Sequence, residues 1–183
     1  GSDGKRISHH WKTPRNLAWS ACVSYKIVAP ARLAFAGISY NGAITVSQAA
    51  AGARLVSHNG AVKAQASGGP LHVETYNGDI TASYAGAELT LLTHNGEVEA
   101  ELAACKDLSG EIISYNGGIT LAVADGVSTD LTCETYNGGI SCDAPWQVKK
   151  LSRGMVTGRL GDGGGKLDVT THNGSIEIKK AAK

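Results

Sequence analysis

The feature that most constrains this chain is a four-residue kernel, Ser or Thr, then Tyr or His, then Asn-Gly, which recurs with its Asn at 41, 59, 77, 95, 116, 137 and 173. Successive spacings are 18, 18, 18, 21, 21 and 36 residues, so the last interval has room for one further unit that has lost its kernel. A period this regular marks a repeat architecture, in which each unit buries its apolar face only by stacking on its neighbours.

Columns through the repeat give the local structure. Three residues after each Asn stand Ile44, Val62, Ile80, Val98, Ile119, Ile140 and Ile176, all β-branched, which favours strand. Two residues further come Val46, Ala64, Ala82, Ala100, Leu121, Cys142 and Ile178, with mostly polar residues between, the alternation of a half-buried strand. Four residues before each Asn stand Gly37, Leu55, Val73, Leu91, Ile112, Cys133 and Val169, so a second strand precedes each kernel. Gly52, Gly69, Gly86 and Gly126 mark a second corner. Each unit thus reads strand, Asn-Gly corner, strand, Gly corner. At the first corner, Asn41, Asn59, Asn77, Asn95, Asn116, Asn137 and Asn173 are expected to supply left-handed backbone geometry together with Gly. Their amides would then hydrogen-bond along the stack. The kernel Ser or Thr shares the side of the apolar columns and is expected to satisfy corner backbone groups.

Asn-Gly between alternating strands is also a strong hairpin signal, and a meander of hairpins would keep the same side parity. The constant period and the column identity favour parallel stacking, which places equivalent residues about 4.8 Å apart. A three-sided hexapeptide helix needs apolar residues every six, whereas Leu55 to Val62 is seven. The predicted fold is therefore all-β: a single-domain, two-sheeted parallel β-solenoid, right-handed, with 18–21 residues per coil. Residues 1–32 lack the repeat and read as N-terminal capping strands, while residues 33–183 carry the solenoid. Ten aromatic residues, three Trp, six Tyr and one Phe, leave the core to be built from Ile, Val, Leu and Ala.

The formal net charge of +1 is spread without a basic stripe beyond Lys179, Lys180 and Lys183, which argues against nucleic acid as a partner. No apolar run is long enough to span a membrane and no signal peptide is visible. Gly1-Ser2 reads as a cloning remnant, which leaves room for an upstream signal or anchor. Cys22, Cys105, Cys133 and Cys142 follow no metal spacing. Cys133 and Cys142 occupy apolar columns on either side of one corner, as buried thiols or as a disulfide. The run Gly161-Asp162-Gly163-Gly164-Gly165 lacks the Lys-Ser/Thr ending of a phosphate loop.

At these residues the chain resembles a bacterial adhesin family, a domain of unknown function built of β-strand repeats. The resemblance covers roughly residues 20 to 180. It rests on Ile27-Val28-Ala29-Pro30 before the first unit, the repeated Asn-Gly followed by Ile or Val, and Gly161-Asp162-Gly163-Gly164 before the closing Thr-His-Asn-Gly. It implies a solenoid fold and an extracytoplasmic location, in the periplasm, on the cell surface or secreted. Adhesion is implied by the family's name alone.

Beside each Asn an outward column holds Tyr40, His58, Tyr76, His94, Tyr115, Tyr136 and His172. Flat rings at regular intervals could contact a repetitive ligand such as a polysaccharide, or another protein, or could simply stack to stiffen the ladder. A shared metal on His58 and His94 is not expected, because the two lie two units apart. Asp79, Glu97 and Glu99 are expected to cluster on adjacent units, where paired carboxylates could hydrolyse glycosides or hold a cation. Nothing else supplies a catalytic base, an oxyanion donor set or a nucleophile elbow, so the expectation is a non-enzymatic module without cofactor or metal. A carbohydrate-active β-helix enzyme is the alternative. A second outward column, Ile38, Val56, Glu74, Leu92, Ile113, Glu134 and Thr170, is largely apolar. It suggests cover by the N-terminal segment or by a second copy of the chain.

Overall fold

The computed structural model describes residues 27–28, 30–144 and 146–181. The capping strands expected within residues 1–32, with Cys22, Trp11 and Trp19, lie mostly outside the described residues. The described chain is all-β, with sixteen strands in two sheets. They run in pairs through the units: β1 (Phe35–Ser39) and β2 (Ile44–Ala49); β3 (Ala53–Ser57) and β4 (Val62–Gly68); β5 (Leu71–Asn77) and β6 (Ile80–Gly86); β7 (Glu88–Asn95) and β8 (Val98–Leu102); β9 (Ser109–Asn116) and β10 (Ile119–Val123); β11 (Thr129–Asn137) and β12 (Ile140–Cys142). After these come β13 (Trp146–Ser152), β14 (Met155–Leu160), β15 (Lys166–Asn173) and β16 (Ile176–Lys180).

The strand before each kernel lies in one sheet and the strand after it in the other. Each pairs in parallel with its equivalent in the neighbouring unit, as Val73 pairs with Leu55 and Leu91. Inward residues of both strands meet between the sheets: Leu55, Val73, Leu91, Ile112 and Val169 from one, Val62, Ile80, Val98 and Ile176 from the other, are all inaccessible to solvent. The extra residues of the longer units lie where expected, in the connections from β8 to β9 and from β10 to β11. The first unit is less enclosed, with Phe35, Ile44 and Val46 only partly buried against the core.

One expectation about the late chain is corrected. The 36-residue interval holds no degenerate unit. Its strands β13 and β14 form an antiparallel hairpin, and β14 pairs antiparallel with β11, extending one sheet only. Residues 146–160 cannot make a unit because they lack a two-sided apolar set: β13 is exposed along most of its length, including Val148 and Leu151. The hairpin instead covers the edge of β11, a place where an unpaired strand invites association. Asp130 ties the three strands together, accepting from Lys149 Nζ (2.8 Å) and Arg159 Nε (3.1 Å). The hydrogen bonds from Lys149 and then Arg159 hold its carboxyl below the ordinary carboxylate range.

The order of the units in space also differs from their order along the chain. The last unit does not stack on the end. β15 lies between β9 and β11, and β16 between β10 and β12. Along the stack the kernels therefore run 41, 59, 77, 95, 116, 173, 137.

Candidate functional site

The corner is built by three ladders that run along the stack. The first is the Asn column. Each amide donates from Nδ2 to Oδ1 of the Asn before it in space: Asn59 to Asn41, Asn77 to Asn59 and Asn95 to Asn77 at 2.8 Å, Asn116 to Asn95 at 2.9 Å, Asn173 to Asn116 at 2.8 Å and Asn137 to Asn173 at 2.9 Å. The second is the kernel hydroxyl. Thr93 Oγ1 donates to the Gly78 carbonyl at 2.9 Å, Ser114 Oγ to Gly96 at 3.0 Å, and Thr171 Oγ1 to Gly117 at 2.9 Å. These hydroxyls are buried, so the bonds meet the requirement that an enclosed polar group have a partner.

The glycine after each Asn has a different cause from the expected one. No kernel Asn or Gly lies in the left-handed region; positive φ occurs instead at the second corners, as at Gly52 (95°) and Gly126 (93°). The kernel glycines are required by the close approach of the unit beneath. A Cβ on Gly60 would sit 2.5 Å from the Gly42 carbonyl oxygen, and one on Gly78, Gly96, Gly117, Gly174 or Gly138 would overlap the corresponding carbonyl of its spatial neighbour. The same carbonyl accepts the Ser or Thr hydroxyl, so spacing and hydrogen bonding enforce each other.

The third ladder is the column of rings. In spatial order it reads Tyr40, His58, Tyr76, His94, Tyr115, His172, Tyr136, a strict alternation that chain order conceals. Centroids are separated by 4.7, 5.3, 4.7 and 4.6 Å over the first five rings, with planes 10–29° apart. His172 meets Tyr115 and Tyr136 edge-on, each at 4.8 Å. Such contacts stabilise by about 0.5–1.5 kcal/mol each beyond area burial. Because the first five rings turn their faces to one another, the outward surface there is made of ring edges: phenol hydroxyls and imidazole nitrogens in alternation. No two imidazoles are adjacent in the column.

A groove of about 310 Å³ runs beside this column, lined by Ile38, Val56, Glu74, Tyr40, His58 and Tyr76, among others. Ile38 is 86% exposed, while Val56, Leu92 and Ile113 are half-buried. His72 was not singled out from the sequence. It stands on the same sheet face with Nε2 3.9 Å from the Glu74 carboxylate and without a hydrogen-bond partner.

The acidic group comes together only in part. Asp79 Oδ1 accepts from the Glu97 backbone N–H at 2.9 Å, as a corner brace between units. Glu99 lies in a shallow trough over the other sheet with Glu101, Lys63 and Lys179. Among the described residues no three His, Cys, Asp or Glu converge in a way that could hold a metal ion. Cys105, Cys133 and Cys142 are free thiols, and burial, with Cys142 nearby, pushes Cys133 up to about 12. Among the described residues no helix is long and apolar enough to cross a membrane.

Sequence reasoning also missed Tyr84, which is buried in a column otherwise held by smaller aliphatic side chains such as Ala66 and Leu102. Its hydroxyl donates to the Glu88 carbonyl (2.6 Å) and accepts from the Glu88 N–H (3.0 Å), bracing the second corner. Burial raises its phenol above the ordinary range. Gly86 is the legible trace, since a Cβ there would overlap this hydroxyl.

Compared with protein-family models, curated proteins and solved structures, the chain finds no match.

Proposed function

We propose that this chain is a two-sheeted, right-handed parallel β-solenoid that works outside the cytoplasm as a non-enzymatic structural and interaction module, with the Tyr/His column as its contact surface. The observation that carries the reading is the unbroken alternation of seven rings on one edge of the stack. A stiff ladder repeating hydroxyl and imidazole edges every unit suits a long, hydroxyl-rich, repetitive ligand such as a polysaccharide, because many weak hydrogen bonds on a rigid frame add without new ordering cost. The groove with Ile38, Val56 and Glu74 offers apolar contact alongside those edges. The adhesin resemblance points the same way and rests on the motifs quoted above.

The rival reading is a carbohydrate-active enzyme working through Asp79, Glu97 and Glu99. It needs two carboxyl groups facing each other across a cleft, and the brace from Asp79 to the Glu97 backbone favours a structural role for that pair. Replacing Tyr76 and His94 together by Ser separates the readings. The module reading expects binding to polysaccharide or cell-surface material to fall at least tenfold with the fold intact, whereas unchanged binding with a lowered melting temperature would leave the column only a structural role. Release of reducing sugar that disappears in Glu99→Gln would favour the enzyme.

A further inference from the structure

The unit at 166–180 occupies a slot that the chain leaves between two of its own consecutive units. β10 ends at Val123 and β11 begins at Thr129, so these units are joined by a short connection, yet their strands are not neighbours in either sheet. β9 and β11 in one sheet, and β10 and β12 in the other, present parallel edges to whatever lies between them. The occupant contributes Leu167, Val169, Thr171, Ile176 and Ile178, all inaccessible to solvent. It also sets the His172 ring between Tyr115 and Tyr136, and links Asn116 to Asn137 through Asn173.

The route into the slot explains the glycine run. After the hairpin the chain must double back, and Gly161 (φ 55°), Gly163 (φ 79°) and Gly164 (φ 120°) take left-handed conformations to do so. A Cβ on Gly165 would overlap the backbone at Asp107 and Leu108, which the chain passes on entry. The segment is thus recognised entirely by its own residues and reached through a connector held in a tight reversal. Opening that connector removes the positive-φ requirement and frees the segment to enter an identical slot elsewhere. Exchange of an identical element between copies remakes every contact and is an inexpensive route to association.

We infer that the slot between the units of Asn116 and Asn137 is a strand-addition site for a second copy of this chain. The 166–180 segment of one molecule enters the slot of another in the register seen here, giving exchanged dimers when reciprocal and longer chains when not. This inference is independent of what the Tyr/His column binds.

The test uses the full chain carrying either of two affinity tags. Both forms are unfolded together in denaturant and refolded over a range of protein concentrations, then analysed by size-exclusion chromatography with light scattering. The expected result is a dimer fraction that rises with concentration and contains both tags. Deleting Gly163 and Gly164, which shortens the reversal, should move dimer formation to concentrations at least several-fold lower. The full-length variant V169D/I176D, whose segment cannot enter any slot, should form no dimer by itself. A wild-type chain that refolds as monomer at every concentration overturns the inference, as does dimerisation of V169D/I176D equal to wild type. The wild-type arm decides the matter even where a variant misfolds.

Discussion

Substituting Gly78 by Ala tests why the kernel needs glycine. A Cβ at this position would overlap the Gly60 carbonyl oxygen and lie 2.7 Å from its carbon, whereas carbon atoms pack best at roughly 3.5–4.0 Å. The units must therefore part by about 0.8 Å, measured against the lower end of that range. The bond from Asn77 Nδ2 to Asn59 Oδ1, now 2.8 Å, would stretch past its useful range, and that from the buried Thr75 hydroxyl to Gly60, already 3.3 Å, would break. Overpacking at about 1–3 kcal/mol together with two lost bonds at about 1 kcal/mol each gives a destabilisation of about 3–5 kcal/mol. Gly42 is the control, because it has no unit beneath it among the described residues and a Cβ would meet only the Ser39 hydroxyl at 3.1 Å. Gly42→Ala should stay within about 0.5 kcal/mol of wild type. Urea unfolding followed by circular dichroism measures both. Equal losses in the two variants would mean that the corner conformation, not the approach of the neighbouring unit, selects glycine, and the reasoning would be refuted.

Tyr84→Phe strands the Glu88 N–H and carbonyl at the second corner and should destabilise by about 1–3 kcal/mol in the same assay, with no change expected in binding at the Tyr/His column. Asp130 has a depressed folded-state pKa, so its contribution is present above the unfolded value of about 3.9 and fades as pH falls through the folded one. Melting curves between about pH 2 and 6 should then show a shallower acid-side decline for Asp130→Asn than for wild type. Cys133, raised to about 12 by burial, should resist alkylation at mildly alkaline pH in the folded chain and react once denatured, as mapped by peptide mass spectrometry.

Much of the fold was legible because a strict period fixes columns. Val62, Ile80 and Val98, or Leu55, Val73 and Leu91, are buried in the registers their spacing predicts. The position of the last unit was not legible from those columns, since Val169 and Ile176 fit equally well beside any unit. The ring column did carry a signal: Tyr and His alternate through Tyr115, the alternation fails at Tyr136, and placing His172 before Tyr136 restores it. The hairpin was hidden because Trp146–Leu160 lies in an interval that a lost repeat would also fill, although the turn glycine Gly154, with φ 74°, marks its reversal. The ring column itself was readable, but not the orientation of its rings. Only the small angles between the ring planes, 10–29°, show that the faces of the first five are turned to each other and that edges meet the solvent.

The placement of the terminal unit inside the stack underlies the ring alternation, the continuous amide ladder and the exchange site together. Nuclear Overhauser contacts among assigned aromatic rings in solution test it most directly. The predicted result is cross-peaks from the His172 ring to both Tyr115 and Tyr136, at the 4.8 Å centroid separations seen here, with none between Tyr115 and Tyr136. Direct contact between Tyr115 and Tyr136, with His172 touching Tyr136 alone, would contradict it.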